Sequence, residues 1–304
     1  MLISSREGQI SIILNSVDTR CEHVERLSDF LVSAHAISVT WQAGDAQDLF
    51  EPPLDSTPLW QNVKISALFA DDTPLRPLID ALQAEFDEKV IFACRCESLA
   101  DTVWERVWLN EFKPMRFGKN LWVCPTAYQP PDQTAVNIIL DPGLAFGTGT
   151  HPSTALCLEW LDANPIQEKT IIDYGCGSGI LSIASLKLGA KKVIAVDHDP
   201  QALEASRMNA EQNQLLGEQL DCVLAKEFCL NEQVDILLAN ILAQPLMDLA
   251  VYFKRLIKPA GQCVLAGILK DQVDLVQGVY SQAGFKISDI SYKQDWACLV
   301  GNSA

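Results

Sequence analysis

The sequence predicts an α/β protein of two domains, in which a smaller α+β domain precedes a doubly wound, Rossmann-like, mostly parallel sheet. The first observation is length, because 304 residues are about twice the usual size of one domain. The second is that strands and helices alternate in two different patterns, which change between residues 98 and 131. The third is a glycine-rich turn that joins a strand at 170–173 to a helix.

The first domain is predicted over residues 1–97 as a β-α-β-β-α-β unit. Its helices are expected over 21–34, where apolar residues recur at helical spacing, and from Pro74 onward. Its strands are expected at 9–15, 36–41, 63–69 and 89–94. This order is the ferredoxin-like split motif, which occurs with many functions and names none by itself.

The stretch 98–131 is predicted to link the two domains. Its tryptophans are Trp104, Trp108 and Trp122, and its basic residues include Lys113, Arg116 and Lys119. The tryptophans either pack against one of the domains or, mixed with basic residues, form a surface for an acidic or nucleic-acid partner. Acidic residues in the same stretch, among them Glu105 and Glu111, weaken the second interpretation.

The second domain is predicted over residues 132–304. Its strands are expected at 136–140, 170–173, 192–196, 234–239 and 262–266, with a terminal hairpin at 285–290 and 296–300. Because helical segments separate most of these strands, the sheet should be mostly parallel and covered by helices on both faces.

The composition excludes several classes of protein. The net charge is −16, and residues 1–100 alone hold 16 acids and 7 bases. This charge argues against binding to bare nucleic acid through its phosphates and suits a cationic partner. No apolar run approaches the roughly 18 residues of a membrane span. Ten cysteines without a C-x-x-C pair, and four histidines without ligand spacing, predict reduced thiols, a cytoplasmic protein and no metal site.

A nucleoside site is predicted at the glycine-rich turn Gly175–Gly179. Its glycines let the backbone approach a ligand closely. A dinucleotide site requires a third glycine where this chain has Ile180. Asp173, two residues before the turn, would repel a pyrophosphate but suits a ligand with an ammonium group. The turn therefore favours S-adenosylmethionine over NAD.

Two residues at the ends of later strands extend this predicted site. Asp197 lies 22 residues beyond Gly175, where a carboxylate can accept both ribose hydroxyls of an adenosine. Alternatively, Asp197 belongs only to the turn in which Asp199 caps the next helix. Asn240 follows the strand at 234–239, and its amide oxygen could accept a hydrogen bond from an acceptor amine. Its alternative role is that of a turn residue.

The segment Leu140–Thr154, with the sequence LDPGLAFGTGTHPST, resembles the signature of the bacterial PrmA family, whose members methylate ribosomal protein L11. Further similarity lies in Pro114–Gly118, Asp173–Gly179 and Asn240–Ala243, so the resemblance covers nearly the whole chain. Many other amino-group methyltransferases have Asn-Pro-Pro-Tyr at the last of these positions. This chain departs from that broader motif and agrees with the PrmA type.

The resemblance implies a class I S-adenosylmethionine-dependent methyltransferase whose N-terminal domain recognises L11. It implies methylation of lysine side chains and the N-terminal amine by a monomer that makes no direct contact with nucleic acid. The family's cofactor contacts fall on Thr154, Gly175, Asp197 and Asn240, and Asp173, Gly177 and Thr150 are further candidates. Asn240 is also the candidate catalytic residue that orients the amine. His151 either takes part in proton transfer or is a loop histidine that caps or packs.

Two other functions stay open on the sequence. One is a class I methyltransferase that acts on another protein, an RNA or a small molecule, and the acidity of the chain argues against RNA. The other is a non-catalytic binding protein that uses a nucleoside-loaded domain as a scaffold. Turnover of the cofactor would distinguish an enzyme from such a scaffold.

Overall fold

The computed structural model describes residues 12–44, 59–70, 73–87, 90–91, 93–99, 113–141, 151–215, 217–229 and 232–304. The chain separates into two compact units, residues 1–104 and 105–304. Within the described ranges, no helix is long and apolar enough to cross a membrane.

The first unit is a four-stranded antiparallel sheet with two helices. Its elements are β1 (Ile12–Arg20), α1 (Val24–Ser33), β2 (Ser38–Ala43), β3 (Asn62–Phe69), α2 (Leu75–Glu85) and β4 (Ala93–Leu99). The strand order β2-β3-β1-β4, with antiparallel neighbours, confirms the ferredoxin-like β-α-β-β-α-β prediction.

Two strands of this unit extend further along the sequence than predicted. β1 reaches Arg20 because its polar residues pair along the whole length of β3, from Ile13 opposite Phe69 to Arg20 opposite Asn62. An apolar run in the sequence does not show how far a strand in the middle of a sheet pairs with its neighbours. β4 likewise continues to Leu99, so the predicted domain boundary at residue 97 falls inside a strand.

The second unit begins with a small sheet of β5 (Met115–Phe117), β6 (Leu121–Cys124) and β7 (Val136–Ile139). β5 and β6 form within the stretch predicted as a linker, because Phe117, Leu121 and Val123 are buried in the same core as the helix α3 (Pro152–Ala163). β7 was expected in the large sheet, and this was wrong: it pairs with β6. Trp104 and Trp108 lie outside the described residues.

The large sheet has the strand order β10-β9-β8-β11-β12-β14-β13. These strands are β8 (Thr170–Tyr174), β9 (Lys192–Asp197), β10 (Leu220–Leu224), β11 (Val234–Asn240), β12 (Ile257–Leu269), β13 (Phe285–Lys293) and β14 (Trp296–Ser303). β8 to β12 are parallel to one another, and β14 joins antiparallel to β12 and β13. The doubly wound sheet and its terminal hairpin are confirmed, whereas β10 was not predicted.

Helices cover both faces of this sheet. They are α3, α4 (Ile180–Lys187), α5 (Pro200–Gln212), α6 (Ala243–Leu256) and α7 (Val273–Gln282). Neighbouring residues of β11 belong to different cores, since Leu238 packs with α3 and α4 whereas Leu237 packs with α6 and α7. The carboxyl ends of β9, β8, β11 and β12 meet at one edge of the sheet, where β14 begins.

Candidate active site

A cavity of about 560 Å³ lies at the carboxyl edge of the large sheet. Five adjacent strands supply residues to its lining: Asp197 on β9, Tyr174 on β8, Asn240 on β11, Gly267 on β12 and Trp296 on β14. Ligands of doubly wound sheets bind at this edge, and the volume lies within the roughly 300–1,000 Å³ of small-molecule sites. The cavity is therefore the candidate active site.

The backbone at Gly175 forms one wall of this cavity. Its φ is +79°, and its N–H donates to the carbonyl of Val196 at 2.7 Å. A Cβ at this position would lie 2.3 Å from Cγ2 of Ile241, another lining residue. Glycine is required here both for the left-handed backbone and for the space that a side chain would fill.

Asp197 joins the glycine turn to the start of α5. Its Oδ2 accepts the N–H of Gly177 at 3.0 Å, and its Oδ1 accepts the N–H of Asp199 at 3.0 Å. The carboxylate is 6 % exposed and lines the cavity. Asp197 is thus part of the capping turn and also faces the ligand space, so the two sequence alternatives are compatible. Asp199 caps α5 through the N–H of Gln201, as predicted.

Asp173 is almost fully buried and is not among the residues that line the cavity. Ser182 Oγ donates to its Oδ2 at 2.7 Å, while its buried Oδ1 has no hydrogen-bond partner in the described structure. Burial raises the pKa of this carboxyl group to about 6. The hydrogen bonds from Ser182 lower the pKa, and the nearby charge of Asp197 raises it, but burial has the largest effect.

Asn240 and Thr154 contact each other through their side chains. Asn240 Nδ2 donates to Thr154 Oγ1 at 3.0 Å. Thr154 is fully buried in α3, whereas Asn240 lines the cavity. No donor among the described residues bonds to Asn240 Oδ1, so this oxygen is the acceptor that Asn240 can offer to a ligand.

His151 caps α3 and packs against Trp296. Its Nδ1 accepts the N–H of Ser153 at 3.3 Å and lies 2.7 Å from the hydroxyl oxygen of Ser153. Its ring contacts that of Trp296 edge-on, with centroids 4.5 Å apart, and burial lowers the pKa of the imidazole. His151 thus caps and packs, as one of its two sequence interpretations predicts, and it also lines the cavity. The cap lies two residues before the expected Ser153.

The family described as ribosomal protein L11 methyltransferase (PrmA) matches residues 13–304. The chain belongs to the PrmA family. Similar relatives include the L11 methyltransferases of Shewanella piezotolerans, 47 % identical, and Shewanella woodyi, 45 % identical; each alignment covers 94 % of this chain and 97 % of the relative. The crystal structure of a ribosomal protein L11 methylase from Lactobacillus delbrueckii subsp. bulgaricus is similar with a TM-score of 0.57 and 31 % identity, covering 62 % of this chain and 98 % of that one.

The cavity of this PrmA chain fits S-adenosylmethionine, the methyl donor of class I methyltransferases. Gly175 leaves space at the wall, and Asp197 offers carboxylate oxygens at one end. The hydroxyl groups of a nucleoside complement these carboxylate oxygens. Residues 142–150 of the signature, which include Thr150, lie outside the described residues.

Gly267 and Trp296 are among the lining residues of the PrmA cavity that the sequence did not predict. Gly267 has a φ of +83°, and a Cβ there would lie 2.3 Å from the carbonyl oxygen of Ile241. A single glycine inside a strand pattern is a signal for such close backbone approach. Trp296 begins the terminal hairpin, and only the strand order brings it to the same edge as Asn240.

Proposed function

We propose that this chain transfers methyl groups from S-adenosylmethionine to amino groups of ribosomal protein L11, on lysine side chains and the N-terminal amine. The observation that carries the proposal is the match to the L11 methyltransferase family over residues 13–304. The cavity supports it because an amide oxygen, on Asn240, faces a space lined mainly by apolar groups.

The reaction requires an amine without its proton. Lysine has an ordinary pKa near ~10.4, so a neutral side chain at pH 7.4 costs about 4 kcal/mol. S-adenosylmethionine supplies a methyl group on a positively charged sulfur; its transfer leaves the charge on nitrogen and an electron pair on sulfur. Ile241, Leu242 and Leu249 give the cavity apolar walls, and an amine enclosed by apolar walls has a lowered pKa.

Asn240 orients the acceptor in this proposal. Its Oδ1 accepts one N–H of the neutral amine, which directs the nitrogen lone pair away from the amide. Thr154 holds the other end of the amide, so the orientation is set before the substrate binds. At the opposite end of the cavity, Asp197 accepts the ribose hydroxyls and the backbone of Gly175 lies against the ligand.

The two halves of the chain have different roles in the proposal. The first unit, residues 1–104, recognises L11, and the second unit, residues 105–304, carries the chemistry. Acidity of the first hundred residues supports attraction of a basic ribosomal protein. None of the described residues that line the cavity belongs to the first unit. We further propose a cytoplasmic monomer that makes no direct contact with nucleic acid.

The test is to incubate the chain and methyl-labelled S-adenosylmethionine with separate purified large-subunit ribosomal proteins and with ribosomal RNA. The proposal expects label on amino groups of L11 and an equal amount of demethylated cofactor. Label on RNA or on a different protein would support the alternative substrate classes. Absence of turnover with every acceptor would support a binding protein.

A further inference from the structure

We propose that Trp296 forms the acceptor end of the cavity, where its indole ring packs against the aliphatic stem of the substrate amine and excludes water from it. This inference rests on the methyl transfer proposed above. It assigns a role to a residue that the sequence analysis did not single out.

The order of strands places Trp296 beyond the reacting groups. Along the sheet edge the order is β9, β8, β11, β12, β14, which carry Asp197, Tyr174, Asn240, Gly267 and Trp296 at their cavity ends. Neighbouring strands lie about 4.8 Å apart, so Trp296 is roughly 10 Å past Asn240 and roughly 19 Å from Asp197. With the ribose at Asp197 and the amine at Asn240, the space between Asn240 and Trp296 is left for the stem of the acceptor.

Contacts within the protein hold this end of the cavity in place. The ring of Trp296 meets that of His151 at a centroid distance of 4.5 Å and an angle of 69°. His151 caps α3, and the same helix carries Thr154, which holds Asn240. The wall and the amide that orients the amine are therefore both anchored to the first turn of α3.

Two lysines near Trp296 pair with acidic side chains. Lys293, opposite Trp296 in the hairpin, bonds to Glu159 on α3 at 2.5 Å, and Lys270 lies 3.8 Å from Asp295. The titratable side chains that line the described cavity are His151, Tyr174, Asp197 and His198. Asp197 is the carboxylate among them and lies at the far end. Among the described lining residues, the acceptor end thus offers an aromatic ring and no carboxylate to an ammonium group.

This arrangement predicts a pH-dependent defect when the wall is removed. A smaller side chain at position 296 admits water, and the pKa of the bound amine then rises toward its value in solution. Fewer bound amines are neutral at pH 7.5, so methylation slows. At higher pH the amine loses its proton in either protein, and the defect shrinks.

The experiment compares Trp296→Ala and Trp296→Phe in the full chain, with L11 and S-adenosylmethionine as substrates. The matched control is Trp122→Ala, a half-buried tryptophan of β6 that does not line the described cavity. The measurements are kcat between pH 7 and pH 10, the Kd for S-adenosylmethionine by calorimetry and the thermal unfolding midpoint. Trp296→Ala should lower kcat at pH 7.5 by about 10- to 100-fold, with most of the loss recovered by about pH 9.5. Trp296→Phe should lose less, and the Kd should stay within about twofold of wild type because the cofactor lies at the other end.

Two results would overturn the inference while leaving the proposed function intact. One is a loss of kcat that is the same at every pH, which would indicate a structural effect. The other is a loss of cofactor affinity that accounts for the slower reaction, which would put Trp296 at the cofactor end. If Trp296→Ala does not fold, Trp296→Phe must still show the smaller pH-dependent loss. Failure of the wild-type chain to label L11 would overturn the proposed function and this inference together.

Discussion

The side-chain amide of Asn240 donates a hydrogen bond of 3.0 Å to the hydroxyl oxygen of Thr154, although 86 positions separate the two residues. The bond links the carboxyl end of β11 to the first turn of α3. It fixes which atom of the amide faces the cavity, since the nitrogen is held and the oxygen remains to accept. A residue of the PrmA-like signature thereby sets the orientation of the candidate catalytic residue.

Replacing Thr154 by Val should slow methylation while leaving the affinity for L11 nearly unchanged. Valine keeps the buried shape but removes the acceptor, so Asn240 can turn and lose its orientation. The cost is about 1–3 kcal/mol of transition-state stabilisation, or roughly 5- to 150-fold in kcat. Thr154→Ser, which keeps the hydroxyl, is the control and should retain most activity. Steady-state kinetics measure this effect. An unchanged kcat for Thr154→Val would show that the action of Asn240 does not depend on its hydrogen bond to Thr154.

Replacing Asp197 by Ala should weaken binding of S-adenosylmethionine by about 1–3 kcal/mol, because charge-assisted hydrogen bonds to the ribose are lost. The matched control is Asp199→Ala, since Asp199 is a carboxylate of the same turn that caps α5 outside the cavity lining. The control should lower helix stability by about 1 kcal/mol without a comparable loss of affinity. Calorimetry measures the affinity of each variant for S-adenosylmethionine. Equal cofactor affinities of the two variants would place the ribose elsewhere.

The buried carboxyl group of Asp173 should make the chain less stable as pH rises. Its pKa is near ~3.9 in an unfolded chain and about 6 in the folded protein. The folded state binds this proton more tightly, so the cost of ionisation is absent below about pH 4 and complete above about pH 6. The difference in free energy of unfolding between Asp173→Asn and wild type should therefore shift in favour of the variant by roughly 3 kcal/mol from pH 4 to pH 7. Urea titrations at both pH values measure it, and a constant difference would show that Asp173 does not titrate this way.

The fragment 105–304, cut where the two compact units divide, should separate cofactor binding from recognition of L11. All described lining residues of the cavity lie in it, so its affinity for S-adenosylmethionine should stay close to that of the full chain. Its kcat/KM with L11 should fall by about 100-fold or more, because the first unit no longer raises the local concentration of substrate. A folded fragment with full kcat/KM would refute the proposed division of roles.

Local sequence patterns predicted most of the fold but not every pairing. The helix face of Val24, Leu27 and Leu31 and the glycine turn at 175–179 carry their own signals, and both form as expected. Partners of short strands carry no such signal. β7 pairs with β6 instead of joining the large sheet. β10 is an edge strand bonded to β9 alone in the described sheet, and its apolar run is short and follows Asp221.

The candidate site was predicted to a similar extent. Gly175, Asp197 and Asn240 stand at strand ends, and the strand order brings them to one cavity. Asp173 stands at such a position too, yet its side chain is buried, because a residue in a strand can face either the ligand or the core. Trp296 could not be predicted, since its place depends on the antiparallel return of the final hairpin onto β12.

The most direct test of the proposed function is the methylation state of L11 purified from cells that lack this chain. Intact-mass and peptide mass spectrometry would be compared after complementation with wild type, Asn240→Ala or Asp199→Ala. The account predicts L11 without methyl groups in the deletion and with Asn240→Ala. It predicts methylated lysine or N-terminal amines with wild type and with Asp199→Ala. Fully methylated L11 in cells that lack the chain, or L11 left unmethylated by the wild-type chain, would contradict it.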